Sequence, residues 1–126
     1  MKKWKKEELT DRIISACINV HKELGPGFLE KFYRNALKIE LKKLGLSFES
    51  EKEFCVFYQG ALIGVQRLDL LVENEVILEL KAVKEISGHD YAQLRSYLKA
   101  ADKEIGLLIN FAKSKIDIRR VEEKTN

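Results

Sequence analysis

Three charged residues, Asp69, Glu79 and Lys81, stand within the apolar runs of the most apolar stretch of the chain, Leu68 to Val83. A charge in such a stretch costs free energy unless it is paired or holds a metal. Any fold for this chain must therefore give each of the three a partner. The stretch reads as two strand-like runs, Leu68 to Val72 and Val76 to Val83, joined by Glu73-Asn74-Glu75. If that joint is a three-residue loop, Val72 faces Val76, and the numbers of facing residues add to 148. Asp69 then stands opposite Glu79, Leu71 opposite Ile77 and Arg67 opposite Lys81, while Leu70 meets Leu78 and Leu68 meets Leu80 on a wholly apolar second face. A two-residue loop would move Asp69 onto the face that must be core, because a one-residue slip flips every side chain. The three-residue loop is the expected register.

In that register the β-carbons of Asp69 and Glu79 lie about 5 Å apart, and Lys81 sits roughly 7 Å along the strand on the same side. Two carboxylates so placed repel each other unless something cationic lies between them. Hard oxygen ligands on adjacent strands suit Mg²⁺ or Mn²⁺, which take a couple of carboxylates and keep several waters. A water acidified by such an ion, with the Lys81 ammonium to orient or deprotonate it, is a hydrolytic nucleophile. Spacing alone leaves this metal site and a metal-free Arg67/Lys81 salt-bridge cluster equally open.

The rest of the chain is expected to build one α/β domain around this hairpin. Leu9, Ile13, Ile14, Cys17, Ile18 and Val20 recur at helical spacing until Gly25-Pro26 ends the segment. A second stripe, Leu29, Phe32, Tyr33, Ala36, Leu37, Leu41 and Leu44, stops at Gly45. Phe54, Val56 and Tyr58 then alternate up to a Gln59-Gly60 turn, with Leu62 and Val65 resuming beyond it. Ser87 and Asp90 form a capping pattern for a helix over His89 to Ala101, and Ile105 to Ile109 and Ile116 to Ile118 read as closing strands, the last at an edge. The order is two helices, three or four strands, one helix and two strands, in its simplest form α-α-β-β-β-α-β-β, a mixed sheet flanked by helices. The expected organisation is a basic arm over 1–8, a single domain over 9–121 and a tail over 122–126.

Composition narrows the function classes. The 126 residues carry 23 Lys and Arg against 20 Asp and Glu, a net +3, so any phosphate-binding surface must be local. The two cysteines, Cys17 and Cys55, lie far apart with no partner at metal spacing and are expected as buried, reduced thiols. No run approaches a membrane span, and no clean leader follows the basic start, so the cytoplasm is the expected address.

Asp69 followed by Glu79-Leu80-Lys81 resembles the D…(D/E)-x-K signature of the PD-(D/E)xK nuclease superfamily. Gly27-Phe28-Leu29-Glu30-Lys31-Phe32-Tyr33 fits the more specific G-x-x-E-x-x-Y pattern that names the GxxExxY family, and the similarity continues through Gln93, Tyr97-Leu98-Lys99 and Gly106 to Phe111. The resemblance implies a restriction-endonuclease-like fold and a metal-dependent nuclease acting on nucleic acid, DNA foremost. It implies Glu30, Asp69 and Glu79 as ligands of Mg²⁺ or Mn²⁺, with the Leu80 carbonyl as a further ligand. Lys81 would position the attacking water, Gln93 would assist, and Tyr97 would lie with Gln93 beside the metal. Leu68 stands where many members have proline.

Glu30 also reads more simply as a first-turn carboxylate favoured by the helix dipole. Arg67, Lys84, Lys99, Arg119 and Arg120 are candidate phosphate contacts, and Tyr97 is a further candidate contact to nucleic acid. His21, before the Gly-Pro-Gly break, is expected to bond a carbonyl, and His89 has less support as a site residue. Trp4 among Lys2, Lys3, Lys5 and Lys6 has the composition of a stacking arm but is expected as a solubilising terminus. A basic rim that includes Arg67, Lys81 and Lys84 is expected around the acidic centre. The competing readings are a catalytically silent nuclease-fold module that binds nucleic acid or protein, and an accessory subunit with no nucleic-acid affinity. A domain this small has trouble enclosing a duplex alone, so a homodimer is expected, with no segment marking its interface.

Overall fold

Hydrophobic periodicity changes from 3.6 to 2 after Gly45, and the fold changes layer at the same place. In the computed structural model, which describes residues 6–124, α1 (Lys6–Leu24) and α2 (Glu30–Lys43) precede β1 (Phe48–Ser50), β2 (Glu53–Tyr58), β3 (Ala61–Arg67), β4 (Leu70–Val72) and β5 (Val76–Lys81). They are followed by α3 (Gly88–Ala101), β6 (Ile105–Asn110) and β7 (Asp117–Glu122). Five strands precede α3, where the simplest reading has three. β1 is only three residues long and contains one apolar residue, too short to show alternation. The run around Leu68 is divided because the chain leaves the β2–β3 ribbon there, with Leu68 N–H bonded to the Lys52 carbonyl and Glu51 N–H to the Asp69 carbonyl.

The five-stranded sheet has the order β1-β4-β5-β6-β7, with β5 and β6 parallel and every other pair antiparallel. β2 and β3 form a separate two-stranded ribbon. The register of β4 on β5 is the expected one: Leu70 pairs with Leu78, Leu71 with Ile77 and Val72 with Val76. Glu73 and Asn74 in the loop both take left-handed φ angles, 52° and 54°, a conformation open to a short polar side chain such as Asn and less common for Glu.

Alternation along β5 separates two cores. Val76, Leu78 and Leu80 join Leu70, Val72, Leu107 and Ile109 under α1 and α2. Ile77, with Leu71 and Leu108, packs beneath Leu94 and Leu98 of α3. Leu68, expected beside Leu80, lies instead in this second core, because the chain has turned out of the β4 ladder before reaching it. The expected facing of Arg67 and Lys81 fails for the same reason: Arg67 belongs to β3 and pairs with Glu53.

Three polar devices fix the ends of the helices. Gly25 takes φ +69° after α1 and donates its N–H to the His21 carbonyl, a helix stop that glycine makes without steric cost. Ser87 and Asp90 form the reciprocal cap of α3. Tyr33, fully buried in α2, donates its hydroxyl to the Gly25 carbonyl at 2.6 Å, accepts from Phe28 N–H at 3.2 Å, and stacks on Phe111 at 4.4 Å. Of the two cysteines, Cys17 is buried as expected, whereas Cys55 is exposed because β2 sits outside the main sheet. Among the described residues no helix is long and apolar enough to cross a membrane.

Close packing of α3 on the sheet depends on Gly106, where an added Cβ would lie 2.8 to 3.0 Å from the buried Leu94 side chain. Gly106→Ala should therefore destabilise the fold by about 1–3 kcal/mol, read as a lowered midpoint in urea unfolding. An unchanged midpoint would mean that α3 has slack over this strand.

Candidate functional site

The antiparallel ladder of β4 on β5 ends at Leu70 and Leu78, and one step beyond it two carboxylates take over the bonding. Asp69 N–H donates to Glu79 Oε2 at 3.1 Å, and Leu80 N–H donates to Asp69 Oδ2 at 2.8 Å. Each carboxylate is thus held by the other strand's backbone, which leaves Glu79 Oε1 and Asp69 Oδ1 for other partners. Glu79 is only 5% exposed. Burial, reinforced by the neighbouring Asp69 charge, pushes its pKa from the ordinary 4.5 up to about 8, against the pull of the Asp69 N–H and the Lys81 ammonium. Burial raises Asp69 as well, opposed by the Leu80 N–H and by the Arg34 guanidinium.

Side chains of β5 itself and of two further elements, α3 and α2, lie around this pair. Lys81, last in β5, donates to Gln93 Oε1 at 3.2 Å and lies 3.8 Å from Asp90 Oδ1, both on the first turns of α3. The Ser87 backbone N–H, together with the Lys81 charge, holds Asp90 below the ordinary carboxylate range. Tyr97, one turn beyond Gln93, is half-buried against the α3-side core, and its phenol is raised first by burial and then by the charges of Glu79 and Asp69. Glu30, first residue of α2, accepts the Ala82 N–H at 3.3 Å, and its negative charge contributes to raising both central carboxylates.

Two contributors were not among the candidate site residues read from the sequence. Arg34, one turn after Glu30, places Nη1 3.6 Å from Asp69 Oδ1 and Nη2 3.7 Å from Glu51 Oε1. Its i+4 spacing from Glu30 is the pattern that could have found it. Asn110 is fully buried opposite Lys81; its Oδ1 accepts from Val83 and Ala112 N–H at 3.1 Å each, and its Nδ2 donates to the Val83 carbonyl at 2.8 Å. It clamps the chain where β5 leaves the sheet.

The remaining candidates do not gather here. Arg67 is exposed on the ribbon, within 3.6 Å of Glu51 and 3.5 Å of Glu53. Lys84 is exposed in the loop after β5. Lys99 pairs with Glu123, and Arg119 with Asp117 and the Tyr91 hydroxyl. Arg120 reaches Glu7 and Thr10 of α1, on the far face of the sheet. Of the expected basic rim only Lys81 acts on the pair, and Arg34, outside that expectation, joins it. His21 Nε2 donates to the Lys113 carbonyl at 2.8 Å, so it ties a loop to α1; His89 is exposed. Trp4 and its neighbouring lysines up to Lys5 lie outside the described residues.

The donor set suits a hard divalent cation. Asp69 and Glu79 offer carboxylate oxygens that burial, and for Glu79 also the Asp69 charge, pushes towards protonation, and the charges of Arg34 and Lys81 do not reverse that push. Among the described residues no cluster of three or more acidic, His or Cys groups converges. The fit is therefore to an ion held by two carboxylates and completed by waters, as Mg²⁺ accepts.

Stability should follow the titration of Glu79. Between about pH 4.5 and 8 the folded chain keeps a proton on Glu79 that the unfolded chain has released, so stability falls as pH rises through that window. In a chelating buffer at pH 8, Glu79→Gln should stabilise the chain by on the order of 1–3 kcal/mol and flatten the melting-temperature profile between pH 5 and 8. A variant less stable than the parent at pH 8 would mean that the carboxylate is already compensated.

Against known proteins, residues 7–121 match the family model described as the PD-(D/E)XK nuclease superfamily. A search of curated proteins gives no match. Among solved structures, that of SSO0001 superposes with a TM-score of 0.60 at 21% sequence identity, over 76% of this chain and 50% of that one. At that identity the likeness concerns the fold, and this chain spans about half the length of its neighbour. The family match extends from the first turn of α1 into β7 and includes every residue of the carboxylate centre; the chain belongs to the PD-(D/E)XK nuclease superfamily.

Proposed function

We propose that the chain hydrolyses phosphodiester bonds of nucleic acid, DNA foremost, with Mg²⁺ or Mn²⁺ at the carboxylate pair. The observation that carries this reading is the facing of Asp69 and Glu79 across two strands, with Lys81 fixed beside them by Gln93. Asp69 and Glu79 would hold the ion, with the Leu80 carbonyl and Glu30 as further ligands. When bound, the ion supplies Lewis acidity to a phosphate oxygen and acidity to a water.

The chain's own groups do the positioning. The Lys81 ammonium, held between Gln93 and Asp90, orients the attacking water and balances negative charge developing on the phosphate. Arg34 keeps Asp69 aligned, and Asn110 holds the loop after Lys81 so that the ammonium stays over the pair. Within the superfamily, the run from Gly27 to Tyr33 supports placement in the GxxExxY family. Its tyrosine pins the turn that precedes Glu30.

A binding module without turnover is the second reading. It draws support from the lack, among the described residues, of a third ligand converging on the pair. Calorimetry with Mn²⁺ separates the two: binding that vanishes in Asp69→Asn favours the enzyme, whereas nucleic-acid affinity indifferent to the ion favours the module.

Cleavage assays over single-stranded, duplex and branched DNA and over RNA, with and without Mn²⁺, test the main reading. Glu79→Ala and Lys81→Ala should each lower the rate by at least about 10²-fold, the scale on which loss of an electrostatic stabiliser acts. Equal cleavage by the parent and both variants would identify a contaminant and overturn the proposal.

A further inference from the structure

The β2–β3 ribbon stands apart from the five-stranded sheet and is packed on one side only. Phe54, Val56 and Gln66 are half-buried towards α3, and Gln66 donates to Ser96 Oγ at 3.0 Å. Alternation sends Cys55, Phe57 and Val65 to the other face, and Leu62 joins them because it pairs with Phe57 across a bulge at Ile63. On that face Phe57 is 62% exposed, Leu62 58%, Ile63 63% and Val65 55%. Among the described residues neither strand has a second neighbour, so the ribbon also presents two unpaired edges. A groove of about 430 Å³ lined by Cys55, Val56, Phe57, Gln66, Ser96 and Lys99 opens beside it.

Natural proteins usually blunt an exposed, apolar strand pair with charge, proline or a covering element. This ribbon has none of these over its outer half, from Cys55 to Val65. Nucleic acid is a poor occupant for that face, since affinity for it comes from cations on phosphates and no Lys or Arg lies between Glu53 and Arg67. At the ribbon's base Glu53 and Arg67 pair across the strands at 3.5 Å, both exposed. A two-fold copy would set the Arg67 of each chain against the Glu53 of the other. The apolar side chains offer roughly 400 Å² per copy, the size of the largest apolar patch on a typical monomer, which is often functional. That is half of the about 800 Å² each partner gives to a standard interface, and the ribbon's open edges and charged base would contribute the rest.

We propose that this chain forms a homodimer in solution through the outer face of the β2–β3 ribbon, with Phe57 and Leu62 at the centre of the contact. The contact is isologous, apolar at its middle and bordered by crossed Glu53–Arg67 pairs.

Sedimentation equilibrium of the full chain over a dilution series tests this directly. The parent should sediment as a dimer, and Phe57→Glu and Leu62→Glu should each sediment as a monomer with an unchanged circular dichroism spectrum. Should a glutamate perturb folding, Leu62→Ser supplies the same comparison at lower cost, with an expected shift of at least tenfold in the dimer dissociation constant. Cys55 offers an independent readout, because it lies on the proposed face whereas Cys17 is buried. A short thiol-to-thiol cross-linker should yield a covalent dimer from the parent and none from Cys55→Ser or Phe57→Glu. A monomeric parent at every dilution would overturn the proposal. So would a dimer that survives both folded glutamate variants, which would place the contact elsewhere, such as the exposed Leu29 before α2 and Phe32 and Ile39 on it. Salt-dependent oligonucleotide binding that disappears in Leu62→Glu while the chain stays monomeric would assign the ribbon to substrate instead.

Discussion

Everything at the centre of this protein depends on two crossed hydrogen bonds, from the backbone of Asp69 to Glu79 and from the backbone of Leu80 to Asp69. They do what ladder bonds would do at the end of a hairpin, and in doing so they hold two carboxylates against each other where water is scarce. The arrangement satisfies geometry and leaves charge unsatisfied. Burial and repulsion favour protonation, and the two nearby cations, Arg34 and Lys81, do not reverse that preference. A site with such an electrostatic deficit is disposed towards a cation, which explains why the same residues are costly without one.

The two faces of the sheet have been given different tasks. Under α1 and α2 the side chains of β4, β5 and β6 are uniformly apolar. Under α3 the same strands are apolar at one end and polar at the other, because β5 runs from Ile77 through Glu79 to Lys81 on that face. Lys81 and its neighbour Asn110 end two adjacent parallel strands. Open α/β sheets place their ligand sites at such carboxyl ends, since the chain there leaves the sheet and can present backbone and side chains to a crevice. The reach of α3 across this end, with Asp90 and Gln93 on its first turns, sets one wall of the site.

Much of this was legible in the sequence because it is local. Period-two alternation and one loop length determine the pairing of Asp69 with Glu79, and the i to i+4 spacing of Gln93 and Tyr97 orients both towards the pair. What was hidden depends on the path of the chain between elements. Arg67 lies two residues before Asp69, yet the turn at Leu68 carries it into a different sheet. β1 is too short to announce itself, and the exposure of Cys55 follows from β2 standing outside the main sheet, which the apolar surroundings of that cysteine in the sequence do not show. Arg34 and Asn110 act through partners 35 and 27 residues away, and polar residues in an amphipathic helix or at a strand end give no sign of such distant contacts.

Asn110 has a consequence for the tolerance of this fold to change in length. Its amide grips both the N–H and the carbonyl of Val83, while Ser87 and Asp90 close the start of α3. The connection between β5 and α3 is thus anchored at both ends, and between those anchors Glu85 pairs with Lys113 and Ile86 packs on the α3-side core, which leaves the stretch at Lys84. Insertions there would extend the loop into solvent without moving Lys81 or Gln93. The same insertion placed two residues earlier would unseat the ammonium from the carboxylates, so within this loop the stretch at Lys84 is where relatives of differing size can diverge while keeping one chemistry.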